Sequence, residues 1–418
     1  VPECTHRARA PMGDPTMRRS GAAAVRGNGP RMVLSGRTLV AALLEGIRVV
    51  DFTQALSGPT LTRYLAELGA DVVKVEQPGG DITRLSATVR DGRSGYFASV
   101  NRNKRSLCVD LHDPRGVALV DRMVAEADVV AENFRPGTIA RLGFAWERLA
   151  ARNPRLIMCS ISAFGQQGPL AGLAGYDGVA QAYSGVTSLN GLPGGEPSMA
   201  GAALGDVLTG VNAVAAVLGA LYHRERTGVG QRVEVSLLLS YMQAHDMSIQ
   251  SFSLTDGAVV QTRSGRFHPL ACPYGIFACR DGYLFLCSAA DRHWRDLCAA
   301  MDRPDLADAA GGHPWAVRSS RERCKDEVNA FIEAWLGTLA SRDEALALLQ
   351  RHRVPVGPVF SIDEVVHSTE LRAAGAVRTA SDPVFGSFEA PGAPLRFSGV
   401  DEVADGEAPF LGEHNEAA

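Results

Sequence analysis

The chain has 418 residues, 46% apolar and 21% charged, with 42 Lys plus Arg against 46 Asp plus Glu and a formal net charge of −4. This near-balance argues against a nucleic-acid binder, which usually shows a basic domain or stripe, and no unbroken run of 18 apolar residues offers a membrane span. The composition fits a soluble protein of two to three domains, expected in the cytoplasm.

Residues 1–44 differ from the rest, with seven arginines against Glu3 and Asp14. They contain no apolar core, so they are not a secretory signal. The stretch reads as a disordered extension, or as a start assigned upstream of Met17 or Met32, with an organelle leader as the alternative. The eight cysteines form no C-x-x-C pair. Several lie in apolar runs such as Leu107-Cys108-Val109, which reads as reduced, buried thiols.

Order is expected from Gly46. Gly46–Asp51 reads as a buried strand and Gly58–Ala70 as a helix, with Leu61, Tyr64, Leu65 and Leu68 at helical spacing. Asp71–Glu76 follows as a strand, which completes a βαβ unit and implies a parallel sheet. The same alternation continues: strand Leu107–Leu111, helix Pro114–Glu126, strand Asp128–Ala131, short helices Thr138–Leu142 and Trp146–Asn153, strand Leu156–Ile161. It predicts a doubly wound α/β domain. Val207–Arg226 reads as the longest helix, stopped by Thr227-Gly-Val-Gly230, and Arg232–Leu238 as a strand. Strand Gly282–Ala289 and helices Arg292–Met301, Val328–Leu336 and Arg342–His352 suggest a smaller α+β domain.

Several chemistries lack their residues. The first strand-to-helix turn, Gln54-Ala-Leu-Ser-Gly-Pro59, has one glycine rather than G-x-G-x-x-G, which argues against a nicotinamide site. No P-loop, H-E-x-x-H, metal-spaced histidine pair or G-x-S-x-G elbow occurs. Asp206 stands out because Gly205-Asp206 is expected just before the long helix. There it is either a plain N-cap kept ionised by the helix dipole, or an exposed carboxylate nucleophile. Asp177, in Gly175-Tyr176-Asp177-Gly178, is a second candidate carboxylate, or a turn residue after a Gly-rich loop. The basic loop Asn101–Ser106, with Lys104 and Arg105, either lies in solvent or clamps a phosphate. Asn133-Phe134-Arg135 follows a strand end, where α/β sheets place ligands, although Phe134 fits packing equally well.

Taken together, these segments resemble the family III CoA-transferases, the group of formyl-CoA transferase and the carnitine CoA-transferases, whose fold α-methylacyl-CoA racemase shares. The resemblance rests on Gly46–Thr53 with Ser57-Gly-Pro59, Gly69–Glu76 with Gly80-Asp81, Asn103–Ser106, Ala131–Gly137, Gly175-Tyr-Asp177, Ala203–Asp206, Thr227-Gly-x-Gly-Gln231, Val354-Pro-x-Gly-Pro358 and Leu411-Gly-Glu-His414. It implies a Rossmann-like large domain (45–240), a small domain (250–360), a C-terminal segment (361–418) returning to the large one, and an interlocked homodimer. It also implies a CoA thioester as substrate, small carboxylic acids as partners, and neither a permanent cofactor nor a metal. Asp206 takes the place of the transferase nucleophile, with Asp177 beside it. The racemases pair that Asp with a His 30 residues earlier, where this chain has Tyr176. A tyrosine is a poor base near neutral pH, so transfer is favoured over racemisation, and a non-catalytic CoA-binding dimer is the other alternative. By motif position CoA meets Ala55, Leu56, Ser57, Gln77, Val109, His112, Asn133, Phe134, Arg135 and Arg141, with Lys104 and Arg105 nearby. Leu56 stands where formyl-CoA transferases carry Gln, and Ser264-Gly-Arg-Phe-His268 replaces their glycine run, which argues against formyl and oxalyl substrates. Arg266 and His268 suggest a dicarboxylate acceptor.

Overall fold

The computed structural model describes residues 42–400 and 406–417, together with two strands ahead of them. Those strands, Val33–Leu34 and Arg37–Thr38, pair antiparallel in a unit of their own. The rest of the stretch expected to be a disordered extension, Cys4 included, lies outside the described residues.

From Ala42 onward the chain alternates strand and helix. β1 (Arg48–Asp51) leads through a short turn into α1 (Ser57–Glu67), and β2 (Asp71–Glu76) follows. Next come β3 (Arg105–Cys108), α2 (Pro114–Glu126), β4 (Val129–Glu132) and β5 (Ile157–Ser162). The half closes with α3 (Asp177–Tyr183), α4 (Leu204–Thr227), β6 (Gln231–Ser236) and α5 (Leu237–Met242). The six strands form one parallel sheet in the order β3-β2-β1-β4-β5-β6. This is the order of dinucleotide-binding folds, and its switch point lies between β1 and β4.

Both faces of the sheet are covered, so its strands are apolar at successive positions rather than at alternate ones. Val49, Val72, Val129 and Ile157 pack under Leu61 and Leu65 of α1 and Ala213 and Val217 of α4. Their neighbours Val50, Val73 and Val130 face the opposite way, onto Val120 and Val124 of α2. By length and composition α4 could cross a membrane, which a count of consecutive apolar residues did not reveal. In the fold its inner face is core, and Ala213 and Val217 have no exposed surface.

Several boundaries differ from the sequence expectation: β3 covers Arg105–Cys108 rather than Leu107–Leu111, α1 ends at Glu67 rather than Ala70, and two further differences lie beside the site. α4 begins at Leu204 rather than Val207. β6 stops at Ser236, whose hydroxyl caps α5 through the Leu239 N–H, so Leu237 and Leu238 are helical. Beyond residue 270, β7 (Tyr274–Cys279), β8 (Gly282–Cys287) and β9 (Val356–Pro358) form an antiparallel sheet. It has its own core, built on Phe277, Leu284, Trp294, Leu297, Ile332 and Leu349. After the hairpin β10 (Val377–Asp382) and β11 (Gly386–Pro391), residues 406–417 run back to the large sheet. His414 and Ser106 exchange bonds there, and the Asn415 amide bonds both backbone groups of Cys108. Among the described residues all seven cysteines are free thiols.

Candidate active site

Because the strands are parallel, their carboxyl ends share one edge of the sheet. The turns after β1, β2, β3 and β4 therefore bring Ala55–Ser57, Gln77, Val109 to His112 and Asn133–Arg135 to that edge. A cavity opens at the switch point. It is lined by Gln54, Ala55, Ser57, Asn133, Phe134, Arg135, Tyr176 and Asp206, among others.

Asp206 is the third residue of α4, not its cap. The N-cap position holds Ala203, which has no capping side chain. The first N–H groups of a helix need acceptors from elsewhere, and two distant residues provide them. Asp177 Oδ1 accepts the Asp206 N–H at 2.9 Å, and Tyr241 Oη accepts the Gly205 N–H at 3.0 Å. The Tyr241 hydroxyl also donates to Asp177 at 2.9 Å. The Asp206 side chain is thereby free of capping duty. Its carboxyl is pushed up to about 6 by burial and by the Asp177 charge, with the Ser57 hydroxyl working the other way through a hydrogen bond. The helix dipole therefore does not set this carboxyl by itself: desolvation and the like charge outweigh it and raise the pKa, and the group stays mostly ionised at neutral pH. No cation pairs with Asp206 among the described residues.

Glycines permit this approach. A Cβ on Gly205 would fall 2.1 Å from the Tyr241 ring and 2.6 Å from Asp177 Oδ1. One on Gly210 would fall 2.6 Å from Thr60 Cβ, so α1 and α4 pack closely only because position 210 is bare.

The expected CoA-binding residues separate into groups. Ala55, Ser57, Asn133, Phe134 and Arg135 line the cavity, and Leu56 is the N-cap of α1. The Asn133 amide is engaged in both directions by Gln54, and the Phe134 N–H is held by Glu132 at 2.9 Å. Gln77 and His112 are exposed, Val109 is half-buried, and Arg141 bonds Thr138. Lys104 and Arg105 do not line the cavity: Arg105 begins β3 at the amino edge of the sheet, and the Lys104 side chain is buried beneath the turn from β1 into α1. Lys104 Nζ is buried against Asp51, Asn101, Thr62 and the Pro59 carbonyl, and Arg105 pairs with Asp71. Within this chain the cations of the basic loop are thus spent on carboxylates, and the phosphate-clamp reading is corrected. Arg266 and His268 are likewise not among the residues lining the cavity. Arg266 pairs with Glu333, and His268 Nδ1 accepts the Leu270 and Ala271 N–H groups while its ring stacks on Tyr274. Tyr176 lines the cavity but is 72% exposed.

Sequence reasoning missed Tyr241 and Tyr96. The Tyr96 phenol is pushed up to about 12 by burial and by the charges of Asp206 and Asp81. No local motif marks either tyrosine, and both reach the site through tertiary packing alone.

The sequence pattern of CoA-transferase family III matches residues 44–415. The chain is 36% identical to a formyl-CoA:oxalate CoA-transferase of Streptomyces coelicolor, over 90% of this chain and 94% of that one. It is 37% identical to a succinate–glutarate CoA-transferase of Agrobacterium fabrum, over 89% and 93%. The same identity relates it to a succinyl-CoA:mesaconate CoA-transferase of Haloarcula hispanica, over 89% and 94%. Among solved structures, a CaiB/BaiF family protein of Brucella suis superposes with a TM-score of 0.79 at 34% identity, covering 90% of this chain and 98% of that one. A parallel sheet with its cavity at the switch point, a free carboxylate in that cavity and a family match spanning nearly the whole chain lead to one assignment: the chain belongs to CoA-transferase family III, and it is a CoA-transferase.

Proposed function

We propose that the protein moves CoA from an acyl-CoA donor to a small dicarboxylic acid through an aspartyl-CoA thioester on Asp206. The observation that carries this is the Asp206 carboxylate, which stands in the switch-point cavity without a cation partner and with its backbone held by Asp177. A salt-bridged carboxylate would be a weak nucleophile, whereas a half-buried one without a counter-ion is both ionised at neutral pH and reactive.

In the reaction, an Asp206 oxygen attacks the thioester carbonyl. The C–S bond breaks, leaving a mixed anhydride and CoA thiolate. The thiolate attacks the aspartyl carbonyl and expels the donor carboxylate, which forms aspartyl-CoA. The acceptor carboxylate attacks that thioester and again releases thiolate, giving a second anhydride. Attack of the thiolate on the acceptor's acyl carbon yields the new acyl-CoA and restores Asp206. Anhydride and thioester both hydrolyse, so the cavity must keep water out, and the bound CoA must hold its thiolate close throughout.

The relatives' names carry oxalate, succinate, glutarate and mesaconate, which supports a dicarboxylic acceptor. Leu56 in place of the formyl-CoA transferase Gln favours succinyl- or glutaryl-sized donors over formyl. A second copy of the chain completes the particle in this proposal. The outer face of α4 supports it, with Leu204, Val207 and Val211 all exposed. The test is trapping: with succinyl-CoA and hydroxylamine, the Asp206 peptide gains a hydroxamate. An unmodified peptide, or full transfer by Asp206→Ala, overturns the reading. Exchange of an α-proton with deuterated solvent, with no acceptor acid present, would point to racemisation instead.

A further inference from the structure

The turn that carries Ser57 to Asp206 is held by side chains from the end of β1, from β2 and from the turns after β2 and β4. Thr53 gives its N–H and hydroxyl to Asp51 Oδ1, at 2.8 and 2.5 Å. Its carbonyl accepts Lys74 Nζ at 2.6 Å. The Gln54 N–H and C=O are clamped by the two ends of the Asn133 amide, at 2.8 and 2.7 Å. The Ala55 N–H points to Asp81 Oδ1 at 3.4 Å. Ala55 itself sits in the left-handed region, at φ +63°. A non-glycine residue keeps that conformation only where its surroundings over-determine it.

The clamps are themselves fixed. Lys74 is fully buried and pairs with Asp81 Oδ2 at 2.8 Å. Asp81 also accepts the Thr83 N–H and hydroxyl, and its own N–H goes to Glu76 Oε2 at 3.0 Å. Glu76 is gripped in turn by Arg84 and Ser106. Replacing a buried ion pair by apolar residues of the same volume is often neutral or stabilising, so stability is a weak reason for placing one under this turn. Positioning is a stronger one.

We infer that Lys74, Asp81 and Asn133 are positioning residues of the transferase site, holding the Thr53–Ala55 turn so that Ser57 meets Asp206. The inference rests on the nucleophile reading above. Asp81→Asn, Asn133→Ala and Lys74→Met are compared with wild type in single-turnover acylation of Asp206 by succinyl-CoA, in KM for succinyl-CoA, and in amide hydrogen exchange of the 52–58 peptide. Should Lys74→Met fail to fold, the other two carry the test.

The expected result is faster exchange confined to that peptide and acylation slowed by about 10- to 100-fold, since small misplacements cost rates of that order. KM is expected to stay near the wild-type value. Wild-type acylation in folded Asp81→Asn and Asn133→Ala overturns the inference, as does unchanged exchange. A raised KM with unchanged kcat makes Asn133 a CoA contact and overturns its positioning role. If wild type itself forms no Asp206 adduct, the nucleophile reading has failed, and the positioning claim falls with it. An adduct that forms equally well in the variants defeats only the clamp.

Discussion

Burial and the Asp177 charge both oppose ionisation of Asp206, and its carboxyl titrates at about 6 rather than 3.8. The nucleophilic form appears only above that value. The acid limb of kcat/KM is therefore expected near pH 6, and Asp177→Asn should move it to lower pH by removing the like charge. The limb staying near 4 in wild type would contradict this. The same shift carries a stability cost. A carboxyl whose folded pKa lies above its unfolded pKa leaves stability intact below about pH 4 and lowers it as pH rises to about 6, after which the cost is constant. Asp206→Asn should then raise stability by about 3 kcal/mol at pH 7.5, with the gain vanishing near pH 4. Urea midpoints at the two pH values check this.

At the scale of elements, the site is where the starts of α1 and α4 meet. Their approach depends on Gly210, whose added Cβ would also lie 2.8 Å from the Ser57 carbonyl. Gly210→Ala should push α1 from α4, cost about 1–3 kcal/mol and displace Ser57 from Asp206, lowering kcat more than KM changes. Equal loss in an Asp206→Ala background, read as stability alone, separates packing from catalysis. Most of these elements were legible in the sequence, because strand and helix periodicities are local: β2 and α2 occur at the expected residues. The start of α4 was not legible. Its capping comes from Asp177 and Tyr241, far away in sequence, while Ala203 and Leu204 carry no cap signal.

For the whole molecule, the C-terminal segment covers the β3 edge of the sheet. Two bonds from one Asn415 amide to Cys108 stand in for a neighbouring strand. An exposed parallel edge invites pairing with other chains. Deleting residues 406–418 should lower stability and promote aggregation, and Asn415→Ala alone should cost about 1–2 kcal/mol. Thermal melts with light scattering report both. The outer face of α4 leads to one further expectation, a dimeric mass in light scattering at micromolar concentration. Val207→Glu with Val211→Glu should weaken it.

The sequence by itself determined the alternating α/β plan, the family and the candidate aspartates, because each depends on local periodicity or on short motifs. It could not say which charges face the site. Lys104 and Arg105 look available in the linear chain, yet the fold buries the Lys104 ammonium against Asp51 at the end of β1, beneath the turn into α1, and leaves Arg105 at the amino edge of the sheet paired with Asp71. Lys74 and Asp81 look like an ordinary strand residue and a turn residue, yet the fold buries them as a pair beneath the turn at residues 53–55. The ionisation of Asp206 was likewise decided only in three dimensions, since a carboxyl's pKa reflects the water removed from it and the charges packed beside it.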